Sequence, residues 1–323
     1  MQHKTCFIST GAALPDHCVS NTILAQTVDT SDTWIRTRTG ITQRYFAAPG
    51  ELTSDLAIRA GKEALMRAGL NGKDIDMLIL ATTTPDDTFP ATATKVQYGL
   101  GTLGVAFDVQ AVCSGYLLAM QLADQAIRVG NASKVMIIGA ETLSRILDFT
   151  DRSTAVLFGD GAGAVILGAA DSTDARQTAV IGCKMQSDGA YTQILHTTGG
   201  VSHSQTAGVI TMQGNEVFKQ AVLRLSDSAQ QLMKKTGVSA ADIQWFIPHQ
   251  ANQRIIDAVR KKMDLDPEKV ISTVHLHANT SAASIPMALH HGLIHGQVKP
   301  GDIILHQAIG AGLIWGSALI RWA

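Results

Sequence analysis

The stretch Phe107–Ile127, FDVQAVCSGYLLAMQLADQAI, changes its period in the middle. Phe107, Val109 and Val112 stand among small residues and read as the end of a buried strand, whereas Tyr116 to Ile127 carries apolar residues at helical spacing. Cys113 lies at the junction. The alternation continues outward. Ser54–Ala68 places Leu56, Ala57, Ala60, Ala64, Leu65 and Ala68 on one stripe and predicts an amphipathic helix. MLILATT, from Met77, follows as a short apolar strand; KVMIIG (134–139) and Ala162–Gly168 are two more. Buried strands alternating with helices predict an α/β protein whose sheets are covered by helices.

The 323 residues are 46% hydrophobic and 16% charged, enough for a large core. That length suits two domains or one body of two similar halves. An internal echo favours halves. GLNGKDIDMLIL starts at Gly69 and GVSAADIQWFIP at Gly237, about half the chain apart, and each follows a helical segment containing Leu-Met. The halves are expected at 1–172 and 173–323, joined through the polar run Asp171–Gln177.

A net charge of −1 gives no global reason to expect nucleic acid or a membrane surface. No apolar run of about 18 residues predicts a membrane span. The start, MQHKTCFISTGAALPDH, lacks the apolar run of a signal peptide. Cys6, Cys18, Cys113 and Cys183 form neither a CxxC pair nor a disulfide framework. A reducing, cytoplasmic setting is expected.

Two glycine clusters invite a nucleotide reading: FGDGAGAVILGA from Phe158 and IGAGLIWGSALIRW from Ile309. A dinucleotide fingerprint needs a helix next, to hold pyrophosphate at its N-terminus. Both clusters lead instead into strand-like residues, so they read as tight turns between packed strands.

Three polar residues could do chemistry. Cys113 at a helix start meets the positive end of the helix dipole, which favours thiolate. His249 follows the strand ending at Pro248 in DIQWFIPHQANQRIID, and Asn279 sits in a small-residue loop in HLHANTSAASIPMALHH. Alone, each has an ordinary explanation: a core thiol, a hydrogen-bonded histidine, a turn asparagine. Together they allow two chemistries. In a Cys-His-Asn thioester hydrolase, His activates Cys and Asn orients His. In a condensing enzyme, Cys carries an acyl group while His and Asn hold an enolate. The papain-type signature around the cysteine is absent. His275, His277, His290, His291 and His295 lack partners that complete a metal set and read as solvated histidines.

The motifs TSDTWIRTRTGITQRY, TTTPDDTFPAT, FDVQAVCSGY, FGDGAGAV, MQGNEVFK, FIPHQANQRII, NTSAASIP and WGSALIRW together resemble the β-ketoacyl-acyl carrier protein synthase III family across essentially the whole chain. The resemblance implies a thiolase-like fold, two similar halves in a five-layered αβαβα sandwich, and a homodimer. It implies Cys113 as nucleophile with His249 and Asn279, and an oxyanion hole from the N–H groups of Cys113 and Ala311. Trp34, Arg38, Arg152, Gly214 and Asn252 match positions along bound CoA. Phe89 and Ile309 match the acyl pocket, Phe89 from the partner subunit. Lys219, Arg254, Arg260, Lys261 and Lys262 form a basic patch suited to an acidic carrier protein. The substrates implied are acetyl-CoA, or another short acyl-CoA, and malonyl-acyl carrier protein, with no metal and no further cofactor.

Two departures stand out. Many family members have Phe-Gly-Gly-Gly where this chain has Ile309-Gly310-Ala311-Gly312, and Ala278 replaces the usual glycine before Asn279. The first leaves starter preference open and keeps alive a same-fold enzyme that primes a specialised pathway with a different acyl-CoA.

Overall fold

The computed structural model describes residues 3–170 and 179–322, so the expected junction at Asp171–Gln177 lies outside the described residues. Nine strands build two sheets. In the first half they are β1 (Lys4–Ala13), β2 (Met77–Ala81), β3 (Val105–Val109), β4 (Lys134–Glu141) and β5 (Gly161–Ala170), in spatial order β1-β5-β4-β2-β3. In the second they are β6 (Val180–Ser187), β7 (Trp245–Pro248), β8 (Ile303–Gly310) and β9 (Ile314–Arg321), in order β7-β8-β9-β6. Both glycine clusters enter strands, β5 and β9, as their sequence indicates.

The sheets repeat one pattern. β1 runs antiparallel to β5, β5 antiparallel to β4, and β4 parallel to β2. Likewise β6 runs antiparallel to β9, β9 antiparallel to β8, and β8 parallel to β7. β3 adds a parallel edge strand to the first sheet. The echo in sequence is an echo in geometry. Helix α2 (Thr53–Ala68) stops at left-handed Gly69, and a short turn capped by Asn71 and Asp74 leads into β2. Helix α5 (Gly214–Thr236) stops at left-handed Gly237, and a turn capped by Ser239 and Asp242 leads into β7.

Helices fill three layers. Helix α4 (Gly115–Arg128) and helix α7 (Ser284–Ile294) lie between the sheets. Their Tyr116, Leu117, Met120, Ile127, Ile285 and Leu289 share one buried cluster with Ile79 and Val165 of the first sheet and Ile247 and Ile304 of the second. On the outer face of the first sheet, α2 and α3 (Thr92–Leu100) bury Leu56, Leu65 and Val96 against Leu78, Ile138 and Ile166. On that of the second, α5 and α6 (Gln253–Lys262) bury Leu225, Leu232 and Val259 against Phe246, Leu305 and Leu319. The result is five layers, αβαβα. Each such Leu or Ile contributes roughly 1.5–3 kcal/mol by leaving water, so the middle helices bind the halves together. Among the described residues no helix is long and apolar enough to cross a membrane.

Candidate active site

The first sheet ends at the chemistry. β4 stops at Glu141, β2 at Ala81, and the chain leaving β3 makes one tight turn, Val112–Ser114, before α4. Val112 adopts φ +48°, unfavourable for a β-branched residue. The second half holds this turn in place. A Cβ at Gly310 would stand 2.9 Å from the Cys113 amide nitrogen, so only glycine lets β8 approach so closely. Ser114 Oγ donates to the Ile314 carbonyl at 2.9 Å.

Cys113 is 5% exposed. Burial pushes its thiol up to about 12; the Ser281 hydroxyl and its own amide pull it back, while the Glu141 carboxylate pushes it further up. The expectation of a thiolate at the helix start is therefore corrected. One turn of aligned amides is outweighed by the loss of water around the sulfur, and the resting group is a thiol.

His249 follows β7 directly, its N–H donating to the Gln307 carbonyl at 2.7 Å. Burial pushes the ring down to about 3, so it is neutral. Its Nδ1 lies 2.7 Å from Ser284 Oγ, which also accepts the Gln250 N–H at 3.2 Å. The hydroxyl keeps a second lone pair, so this contact admits either tautomer; with Ser284 donating to Nδ1, the ring proton sits on Nε2. Asn279 is buried too. Its Oδ1 accepts the Ser281 N–H at 2.9 Å, which leaves the NH2 group as the free donor. One turn, Asn279–Ser284, thus carries Asn279, the Cys113 neighbour Ser281 and the His249 partner Ser284.

A cavity of about 320 Å³ opens at Cys113, with Ala311, Thr83 and Ser281 on its wall and Leu143, Ile146, Leu195 and Ile210 among its apolar lining. His249 and Asn279 are not on that wall. A second cavity of about 270 Å³ is lined by Trp34, Arg38, Gly214, Asn252 and Arg254. The Trp34 indole, on helix α1 (Asp32–Thr39), has the Arg152 guanidinium 5.0 Å and the Arg38 guanidinium 5.7 Å from its centroid. Two cations over one indole form a platform for a flat π system and for anionic oxygens. Asn252 caps α6 through Ile255 N–H at 3.0 Å. At Gly214 an added Cβ meets only a methionine methyl at 3.6 Å, so space does not demand glycine there.

The remaining expected residues are more scattered. Phe89 is 84% exposed and away from the Cys113 cavity in the single chain. Ile309 is buried in the outer cluster with Leu313 and Trp315, not on the cavity wall. Lys219, Arg254, Lys261 and Lys262 are exposed. Arg260 turns back, donating to the Leu265 carbonyl at 2.7 Å to close the end of α6. The reading of solvated histidines fails at His290 and His277. His290 is buried, its Nδ1 3.0 Å from Thr10 Oγ1, and burial pushes His277 down to about 4.

Sequence reasoning passed over Glu141, Ser281 and Ser284. A charged residue closing the apolar run KVMIIGAE was the available signal for Glu141. The two serines sit in NTSAAS with nothing in the pattern to separate them from packing residues.

Comparison with known proteins agrees with this architecture. The family models for the 3-oxoacyl-[acyl-carrier-protein] synthase III and its C-terminal region match residues 107–189 and 233–322. The β-ketoacyl-[acyl-carrier-protein] synthase III of Rhodospirillum rubrum is 52% identical, covering 96% of this chain and 97% of its own. That of Hyphomonas neptunium is 50% identical over 99% of this chain and 100% of its own. The crystal structure of the Aquifex aeolicus 3-oxoacyl-[acyl-carrier-protein] synthase III superposes with a TM-score of 0.93 at 43% identity, covering 98% of this chain and 100% of that one. A priming β-ketosynthase of the R1128 polyketide pathway superposes equally well, TM-score 0.93, at 29% identity over 99% and 97% of the two chains. The fold is thiolase-like, and the chain belongs to the β-ketoacyl-[acyl-carrier-protein] synthase III family of acyltransferases.

Proposed function

We propose that this protein condenses acetyl-CoA, or another short acyl-CoA, with malonyl-acyl carrier protein, giving acetoacetyl-acyl carrier protein, CO2 and CoA and so initiating fatty-acid synthesis. The observation that carries the reading is the meeting of the Cys113 turn with the Asn279–Ser284 turn, at a cavity that reaches the nucleophile. Cys113 Sγ attacks the thioester carbonyl, CoA leaves as its thiol, and the acyl group stays on sulfur. Malonyl-acyl carrier protein then loses CO2. The enolate oxygen takes hydrogen bonds from His249 Nε2–H and the Asn279 NH2 group, and its carbon attacks the acyl carbonyl. The N–H groups of Cys113 and Ala311 receive the oxyanion. No step needs a metal or a further cofactor.

Trp34, Arg38 and Arg152 are the platform for the CoA nucleotide, with Gly214 and Asn252 along the pantetheine. Lys219, Arg254, Lys261 and Lys262 attract the carrier protein, and Arg260 supports that face from beneath. Phe89, Tyr98 (92% exposed) and Leu103 offer an apolar face beside the edge strand β3, and we assign it to a homodimer. That arrangement would bring Phe89 to the partner's acyl pocket, near which Ile309 shapes the second half. The protein would work in the cytoplasm.

The test is acyl-enzyme formation. Cys113→Ser takes up no label from acetyl-CoA, and a fully labelled variant overturns the assignment of the nucleophile. His249→Ala keeps acylation and loses condensation by about 10²–10³-fold, as for a lost oxyanion donor. The size of the apolar cavity favours one second reading, a longer or branched starter, because an acetyl group leaves most of its volume unfilled. Intact-protein mass spectrometry with a panel of acyl-CoAs separates the two.

A further inference from the structure

Arg44 is fully buried, 0% exposed, and lines neither cavity of the site. It sits on Gln43–Phe46, one strand of a two-stranded ribbon whose other strand is His17–Ser20. A buried cation is costly unless polar atoms surround it. Burial pushes the Arg44 guanidinium down only to about 10, so it keeps its charge at neutral pH. Its hydrogen-bond partners among the described residues are oxygens that bear no full charge. Nη1 donates to Asn21 Oδ1 at 2.8 Å and to the Val19 carbonyl at 3.3 Å, and Nη2 donates to the Val156 carbonyl at 3.1 Å. An apolar side chain of similar volume fills such a space without that cost. The reason for a cation here lies in what the guanidinium connects.

Its contacts lead to the platform of Trp34, Arg38 and Arg152. Asn21 is itself buried, and its Nδ2 donates to Asp32 Oδ1 at 2.9 Å and to the Ile41 carbonyl at 2.8 Å. Asp32 opens helix α1, and Ile41 follows Gly40, the left-handed residue that stops it. One side-chain amide therefore holds both ends of the helix that carries Trp34 and Arg38. On the other side, Val156 directly follows the helical turn Arg152–Ala155, so Nη2 holds the segment that carries Arg152. Gly159 closes against the Arg44 stem: a Cβ there would stand 3.1 Å from Arg44 Cβ and 2.9 Å from the His277 carbonyl oxygen, which leaves this segment no room to move inward. At the surface Arg152 Nη1 also reaches the Asp29 carbonyl, at 3.3 Å, but that bond is exposed. The bonds of Arg44 face no competition from water, which makes them the firmer tie.

We propose, on the reading of that platform as the CoA nucleotide site, that Arg44 is a positioning residue for CoA: its guanidinium ties the helix carrying Trp34 and Arg38 to the segment carrying Arg152 and so fixes the spacing of the two cations over the indole. Trp34 stands on one tied element and Arg152 on the other, with 5.0 Å between the ring centroid and the guanidinium. Cation–π attraction belongs to separations within about 6 Å, so a small drift of either element weakens the platform. The planar fork of a guanidinium sends Nη1 and Nη2 to different segments at once, which the compact ammonium of lysine does less well. Arg44 touches no substrate. It acts on affinity for the nucleotide and leaves the sulfur chemistry alone.

The experiment is the rate of Cys113 acylation on the intact protein, read by mass spectrometry, with acetyl-CoA and separately with acetyl-pantetheine, which keeps the thioester and lacks the nucleotide. Arg44→Met removes the cation and its hydrogen bonds and keeps most of the volume. Its second-order rate constant for acetyl-CoA falls about tenfold, the worth of roughly one stacking contact. The loss is in binding: the rate at saturating acetyl-CoA and the rate constant for acetyl-pantetheine stay at wild-type values. Arg44→Lys moves the same way by less. Damage to packing alone impairs both thioesters alike, since Cys113 serves both. An unchanged acetyl-CoA rate constant in Arg44→Met, or equal losses for the two thioesters, overturns the proposal; where that variant does not fold, the same result in Arg44→Lys does so. A crystal structure of Arg44→Met gives a readout without CoA. The Arg152–Trp34 separation departs from 5.0 Å, and an unchanged separation also overturns the proposal. A wild type that takes both thioesters equally well, and a Trp34→Ala variant that does the same, would count against the CoA reading and leave the result on spacing standing.

Discussion

Ser284 shows how a residue away from the substrate can govern one proton. Its hydroxyl accepts from Gln250 N–H and lies 2.7 Å from His249 Nδ1; donating there, it leaves the ring proton on Nε2, where condensation uses it. Ser284→Ala removes the donor and frees the ring to adopt the other tautomer or rotate. We predict that condensation falls by up to about a hundredfold, the scale of a small misplacement of a reacting group, while acylation of Cys113 is preserved. Single-turnover acylation and malonyl decarboxylation, measured side by side, check this; equal losses in both would refute it. Cys113 was legible in the sequence as a position and illegible as an acid. Its place at a strand-to-helix junction followed from the change of period. Its protonation depends first on burial, set by contacts from both halves of the chain, and that cannot be read from a local pattern.

Among the elements, the repeated helix–Gly–turn–strand unit was visible because its signals are local: an apolar stripe, a glycine stop and an Asp-capped turn. Contacts between elements were not. Gly139 and Gly237 illustrate the difference. Gly237 has φ +76° and nothing within 4 Å of an added Cβ. Gly237→Ala meets only the left-handed backbone penalty, about 1–2 kcal/mol. Gly139 has ordinary strand backbone, yet its Cβ would overlap the Ala282 carbonyl. We predict that Gly139→Ala costs at least about 1–3 kcal/mol through overpacking and also displaces the turn that carries Asn279 and Ser281. Urea unfolding reads the stability cost of both variants. Only Gly139→Ala is expected to depress condensation as well; an active Gly139→Ala enzyme of wild-type stability would show that the turn yields freely. In the sequence both residues are a single glycine at an element's end or interior, and the partner that separates them is more than a hundred residues away.

For the whole molecule, the five layers could be expected from alternating elements and a half-chain echo, but the cost of closing them could not. Closure buries imidazoles. Burial pushes His249 down to about 3, and His277 and His306 down to about 4, from an ordinary value of 6.5. His306 donates Nδ1–H to the Ile247 carbonyl at 2.9 Å, and its buried Nε2 has no partner. After burial, His291 and His275 oppose the charging of His277, and His295, His275 and His290 that of His291, whereas the Glu63 carboxylate, 3.4 Å from His290, favours the charging of His290. In the unfolded chain these rings take up protons as pH falls through 6.5; in the folded chain the buried ones stay neutral until about 4. The unfolded state therefore binds more protons across that window, and stability must fall as pH drops. Each fully depressed histidine contributes a slope of up to about 1.4 kcal/mol per pH unit. Above the ordinary carboxyl range the buried acids act in the opposite sense, since Glu141 and Asp160 are raised by burial and retain protons in the folded state while the unfolded chain loses them, so they offset part of the histidine loss. The loss from the histidines runs from pH 6.5 down to about 4. Urea midpoints measured at pH 8.0, 6.5 and 5.5 should change little over the first interval and fall sharply over the second. His306→Gln, which keeps a donor for the Ile247 carbonyl, should flatten the acid limb even if it lowers stability at pH 8. A midpoint constant from pH 8 to 5.5 would mean that the folded protein accepts these protons after all, by opening the layers around α7 or by letting water reach the buried rings.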